Sequence, residues 1–199
     1  MTSDNPSPPD AVQPHQLFSK LGAIFRKYGY DATSLSMIQE ATGRSKGSIY
    51  HRFPNGKAQI VQELIASRGK WLHDGVLLPL RDGRAPATRV MEMLLFLDRH
   101  YEDGASTCLL GTLALSENAK LYQTELSRVF QDWIDALTVP LLESGMSTVE
   151  ASALAQSVII KVQGALLLAR ALGTKNPYLS AMAGIRAELL AATAASTAL

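Results

Sequence analysis

The sequence predicts an all-α fold of about nine helices, a compact trio followed by a larger helical body. Three observations carry this. Apolar residues recur at three- and four-residue spacing through nearly the whole chain, and no stretch alternates convincingly as a strand would. The periodic segments are punctuated by glycine, proline and Ser/Thr/Asn residues where helices would start and stop. The chain has 199 residues, 47% of them apolar, which is enough to bury a substantial core.

The elements follow in order. Residues 1–14 hold Pro6, Pro8 and Pro9 among small polar residues and are expected to form a disordered arm. A first helix is expected from about His15 to Tyr28, with Phe18, Leu21, Phe25 and Tyr28 as its buried stripe and Gly29 as its end. Ser34 caps a second helix that turns Leu35, Ile38 and Ala41 inward and stops at Gly43. Ser45 caps a short third helix reaching Phe53, and Pro54-Asn55-Gly56 is a turn. A long fourth helix starts near Lys57, with Ile60, Val61, Leu64, Ile65, Arg68 and Leu72 on one face. Gly69 and Gly75 make its later half irregular before it ends near Leu80. The fifth runs from Pro86 to about Glu102, a short apolar sixth covers Cys108 to Glu117, and a seventh spans about Lys120 to Ser144 with a kink at Pro140. Ser147-Thr148-Val149-Glu150 is a capping box opening an eighth helix to Leu172. Asn176-Pro177 opens the last, whose alanine-rich end from Ala191 is expected to fray.

Composition narrows the function. Residues 1–70 hold nine Lys/Arg against five Asp/Glu, while the remainder holds ten against thirteen. A basic head on an acidic body suits an anionic partner such as DNA, although chance fluctuation gives the same imbalance. Cys108 is the only cysteine, so no intrachain disulfide can form, and it reads as a buried small hydrophobe rather than a redox sensor. The first residues lack a basic head or apolar run, and Val158–Leu172 is interrupted by Lys161, Gln163 and Arg170. A cytoplasmic protein without membrane insertion is therefore expected. The four histidines lack ligand spacing with one another. His100 beside Asp98, Glu102 and Asp103 is only a weak metal site, so no metal or cofactor is expected. No nucleophile elbow, phosphate loop or dinucleotide fingerprint is present, which argues against an enzyme.

The informative stretch is residues 33–57, TSLSMIQEATGRSKGSIYHRFPNGK. Two short helices joined by a glycine turn, with a preceding helix to pack on, form a helix-turn-helix. Ile49 and Phe53 anchor the inner face of the second helix. Its outer face is basic and carries no acid, and Gly47 permits close backbone approach to a partner. The pattern Gly43, Ser45-Lys46-Gly47-Ser48-Ile49-Tyr50, Phe53 and Lys57 resembles the N-terminal signature of TetR-family transcription regulators. Three departures stand out: Arg44 where a small apolar residue is usual, Gln39 where alanine is commoner, and one extra residue between Phe53 and Lys57. The lengthened turn, with Cys-Leu-Leu-Gly-Thr-Leu-Ala-Leu at 108–115, is similar to the LmrA/YxaF-like branch.

The resemblance implies a helix-turn-helix domain over 15–56 and a ligand-binding and dimerisation domain over 57–199. The partners it implies are double-stranded DNA, a small-molecule effector and a second copy of the chain. The output is repression lifted by the effector. Carried over, Lys46, Gly47 and Ser48 face base edges, while Ser34, Ser45, Tyr50, His51 and Lys57 face phosphates, with Arg44 as an added phosphate contact. Trp71, Phe96, Tyr101, Cys108, Phe130, Trp133 and Gln163 are candidates for an effector cavity, against the plainer reading that they pack the core. Leu154, Val158, Val162, Leu166, Met182, Ile185 and Leu189 are expected to form a four-helix dimer interface, or else to complete the core of a monomer. The rival in a different class is a helical small-molecule-binding protein or enzyme without DNA function. The acid-free outer face of residues 44–52 argues against it.

Overall fold

The computed structural model describes residues 14–194. The proposed arm, apart from Pro14, and the end of the alanine-rich tail beyond Ala194 lie outside the described residues. The described chain holds nine helices and no strand: α1 Pro14–Ala32, α2 Leu35–Thr42, α3 Lys46–Arg52, α4 opening at Gly56–Leu72, α5 Pro86–His100, α6 Leu109–Ala114, α7 Gln123–Glu143, α8 Thr148–Leu172 and α9 Asn176–Ala194. Short 3₁₀ turns cover Glu102–Gly104 and Ala119–Tyr122.

The caps are those the sequence specifies. Ser34 accepts from the Met37 amide and Ser45 from the Ser48 amide, each satisfying a first-turn donor. Ser147 and Glu150 close a reciprocal capping box, and Gly43 and Gly173 end their helices in the left-handed conformation. Gly29 breaks α1 rather than ending it: at φ 72° it redirects the chain for one more turn. That redirection leaves Tyr28 exposed and buries Tyr30 in its place, against the Phe25 ring.

The expected irregularity in α4 is a π segment over His73–Leu77, followed by a final α turn at Leu78–Leu80. A side chain at Gly75 would overlap the Phe96 ring, so glycine lets α5 lie directly on the widened turn. From Gly56 to Leu80 the helix is a strut about 36 Å long. Pro140 sits inside α7 without ending it.

α7, α8 and α9 pack side by side with α5 against α9, while α1 lies on both α4 and α6. By length and composition α8 could cross a membrane, but one face of it is buried against α7 and α9. That buried face corrects the expected dimer surface. Val158, Val162, Leu166, Met182, Ile185 and Leu189 are enclosed within the single chain, and Leu154 is half-buried against the same core. The apolar stripes of α8 and α9 meet each other because both helices belong to one antiparallel pair. What remains outside is the opposite face of α8, with Ile160 63% and Leu168 53% exposed, and a small-residue face of α9 through Ala183, Gly184 and Ala187.

Candidate nucleic-acid interface and effector cavity

α1 supplies the platform for α2 and α3. Ile49 and Phe53 are buried beneath α3, and Phe18 meets Phe53 edge to face. With its inner face fixed in this way, α3 presents Lys46, Gly47, Tyr50 and His51 to solvent, and Ser48 is half-exposed. At Gly47 a side chain would meet only the Ser45 hydroxyl, at 3.9 Å, so it would fit without a clash. The Arg44 guanidinium donates to the Ser48 hydroxyl at 3.3 Å, so it braces α3 from the turn. Arg52 is not a free cation of this face: it forms a bidentate pair with Glu63 of α4 at 3.1 and 2.7 Å. Ser34 and Ser45 are exposed while capping; the Ser45 hydroxyl proton remains available to an outside acceptor, and the Ser34 hydroxyl shares a hydrogen bond with the Ser36 hydroxyl at 2.8 Å.

Lys57 has a different place from the one expected. Its ammonium donates to the main-chain carbonyls of Tyr30 at 2.7 Å and Thr33 at 3.0 Å, and lies 4.3 Å from the centre of the Tyr30 ring. The lengthened turn explains this. Gly56, at φ +63°, starts α4 and the Asn55 amide is taken by the Gln59 side chain. One residue advances a helix by about 100°, enough to turn Lys57 onto the α1–α2 junction. Lys57→Met is accordingly expected to lower stability to urea by about 1–2 kcal/mol, since the Thr33 carbonyl loses this donor while the Tyr30 carbonyl keeps the Thr33 amide at 3.3 Å. The salt dependence of operator binding should stay as it was. An unchanged urea midpoint together with a salt slope reduced by about one unit per half-site would restore the phosphate role instead.

The trio is fastened to the body at the far end of α1. Asp31 accepts from the Asn118 side chain at 2.6 Å and the Glu117 amide at 3.1 Å, and the first of these chiefly holds its carboxyl below the usual range. Arg170 of α8 donates to the Arg26 and Lys27 carbonyls. Gly22 of α1 marks where three helices meet: Arg68 of α4 and Leu109 of α6 both approach its open side.

The seven expected cavity residues divide between two spaces. Trp71, Tyr101, Cys108, Phe130 and Trp133 line a chamber of about 20 Å³ between α4, α6 and α7. Phe96 stacks on Trp71 at 4.7 Å, behind the chamber wall. Gln163 lines a separate apolar cleft of about 420 Å³ between α6 and α8, whose wall Cys108 shares. The Gln163 carbonyl oxygen lies 2.9 Å from where a side chain on Gly111 would begin, so glycine there lets α6 and α8 close up. Sequence reasoning missed the leucines Leu72, Leu109 and Leu110 of the chamber wall and its three basic residues, Arg26, Arg68 and His100. The signal was available for Arg68, which falls four residues after Leu64 and four before Leu72 on the buried stripe of α4. Burial above all, then the two arginines, lowers His100 to about 4, so the ring is neutral at ordinary pH.

A short, outward-facing basic helix on a three-helix platform, coupled to a helical body with an internal cavity, defines a DNA-binding transcription regulator. Residues 23–64 match the family described as bacterial regulatory proteins of the tetR family, and residues 86–183 match the LmrA/YxaF-like transcriptional regulator C-terminal domain. The chain is 27% identical to the regulator YxaF of Bacillus subtilis over 161 residues, covering 78% of this chain and 84% of that one. It is 22% identical to LmrA of the same organism, covering 82% and 89%. Among solved structures, a TetR regulator from Legionella pneumophila superimposes with a TM-score of 0.77 at 22% identity, over 90% of this chain and 97% of its own. One from Agrobacterium tumefaciens gives 0.73 at 22% identity, over 88% and 98%. The chain belongs to the TetR family of transcriptional regulators, with a C-terminal domain of the LmrA/YxaF-like branch.

Proposed function

We propose that the chain is an effector-controlled repressor acting as a homodimer on a near-palindromic operator in the cytoplasm. The observation that carries this is the pairing of an acid-free, solvent-facing α3 with a cavity whose wall includes α1 itself, through Arg26. Residues 15–56 read DNA, and residues 57–199 sense the effector and dimerise. Lys46, Gly47 and Ser48, at the N-terminal end of α3, meet base edges in the major groove. Ser34, Ser45, Tyr50, His51 and Arg44 hold phosphates and set the register.

The second copy covers the outward faces of α8 and α9. Ile160 and Leu168 supply the apolar contact, while Ala183, Gly184 and Ala187 let the helices approach closely. Two-fold pairing of these helices would place the recognition helices in successive major grooves, about 34–36 Å apart. An effector favouring the non-binding arrangement shifts the population away from DNA. It acts on the loop before α6 and on α8, which hold α1 through Ser106 and Arg170.

A mobility shift with the chain's own upstream DNA at two salt concentrations tests the reading. Specific retention that weakens as salt rises supports it, and equal affinity for any duplex opposes it. Within the retained site, exchanging Lys46 and Ser48 should change which operator variant binds best, at a cost of about 1–3 kcal/mol on the original sequence. A parallel loss on every variant would reduce these two residues to positioning contacts.

A further inference from the structure

The chamber beside α1 is built around positive charge with nothing negative to meet it. Arg26 and Arg68 both line it, and no carboxylate pairs with either among the described residues. The acids of the neighbouring helices are turned elsewhere: Asp98 binds Arg186 and Glu63 binds Arg52. The same chamber holds an orphaned donor. The Trp133 indole N–H is buried without a partner in a residue only 2% exposed, and the Arg26 Nε is buried and unpartnered as well. A buried donor without an acceptor is costly, and two guanidinium groups near one another repel. Every polar group here that lacks a partner is a donor, so what is missing is an acceptor carrying negative charge.

The surroundings give that acceptor a route and a shape. Arg26 also lines a solvent-open trough that holds Lys27, Arg170 and Lys175 and contains no acidic residue. Such a trough concentrates anions at the chamber door. The chamber as it stands has room for little more than a water-sized group. Cys108 lines both the chamber and the neighbouring apolar cleft between α6 and α8, which is large enough for the body of a small organic molecule.

Resting on the effector-controlled reading above, we propose that the effector is an organic carboxylate, its headgroup held between Arg26 and Arg68 by charge-assisted hydrogen bonds with the Trp133 indole, and its apolar part in the α6–α8 cleft. The headgroup draws α1 towards α4 through Arg26, which changes the tilt of the helix-turn-helix directly. The carboxylate thereby replaces repulsion by a bridge, and the recognition helix is reset in the same step.

The only two tryptophans, Trp71 and Trp133, both line the chamber, so their emission reports its occupancy. The full-length chain is titrated with benzoate, phenylacetate and 4-phenylbutyrate, and in parallel with the neutral amide of each. At least one acid should alter tryptophan emission and release operator DNA, with affinity about tenfold or more above its amide. Arg68→Met should abolish that preference, and Arg68→Lys, which keeps the charge, should restore part of it. Circular dichroism and a urea midpoint establish that each variant is folded, and Arg26→Met repeats the test from the α1 side. Equal response to acids and amides, a preference surviving Arg68→Met, or silence of both series overturns the carboxylate assignment. Release of the operator by the neutral amides alone would overturn it while leaving the effector-controlled repressor intact. Absence of any specific operator binding would instead remove the underlying reading.

Discussion

A chain carrying Ile160→Glu and Leu168→Glu is expected to remain folded, to sediment as a 21.5 kDa monomer and to lose operator affinity. The loss should be at least about a hundredfold, because the second half-site contact is no longer intramolecular. Both residues lie on the solvent face of α8, so a carboxylate there remains hydrated in the single chain and is stranded only when a partner covers it. Val162→Glu makes the contrast. Val162 is fully enclosed between α8 and its neighbours, and a charge there should prevent folding altogether. Sedimentation velocity and circular dichroism distinguish the two outcomes. If the Ile160/Leu168 variant stays dimeric with unchanged affinity, the α8–α9 outer face is not the interface. If Val162→Glu folds as a stable monomer, the assignment of the inner face to the core is wrong.

The contrast also shows what the sequence does and does not encode locally. Helix boundaries were legible because they are written in adjacent residues: Ser34, Ser45 and Ser147 before their helices, Gly43 and Gly173 after them. The irregular half of α4 was legible from Gly69 and Gly75. The face of α8 that meets its own chain was not, since an all-round apolar helix offers two candidate faces and only tertiary contact decides between them. Lys57 was misplaced for a related reason. A one-residue change in turn length conserves the motif's letters while rotating the side chain onto the α1–α2 junction. The cavity was half legible. Its aromatic wall follows from composition, but Arg26 and Arg68 come from helices 42 residues apart in sequence and meet only because α1 crosses α4 beside Gly22.

Arg89 lies on the same kind of stripe as Arg68, four residues before Met93, yet its partners differ. It is 1% exposed, donates to the Leu80 carbonyl at 3.0 Å and pairs with the Glu143 carboxylate. Leu80 ends α4 and Glu143 ends α7, so Arg89 of α5 ties together two helix C-termini whose last carbonyls have no intrahelical donor. Arg89→Ala removes the tie and leaves a cavity, and is expected to cost about 3–4 kcal/mol in urea unfolding. Arg89→Met refills the volume but restores neither bond, so its cost should be nearer about 1–2 kcal/mol. The functional consequence lies in α4. Lys57 holds its first turn to the α1–α2 junction and Arg89 holds its last to the body, so the helix acts as a strut fixed at both ends. Freeing the far end should speed hydrogen exchange at the amides of 77–80 in Arg89→Met by more than its loss of global stability accounts for. Exchange there that tracks global unfolding alone would mean that packing against α5 and α7, not the arginine, holds the end of the strut.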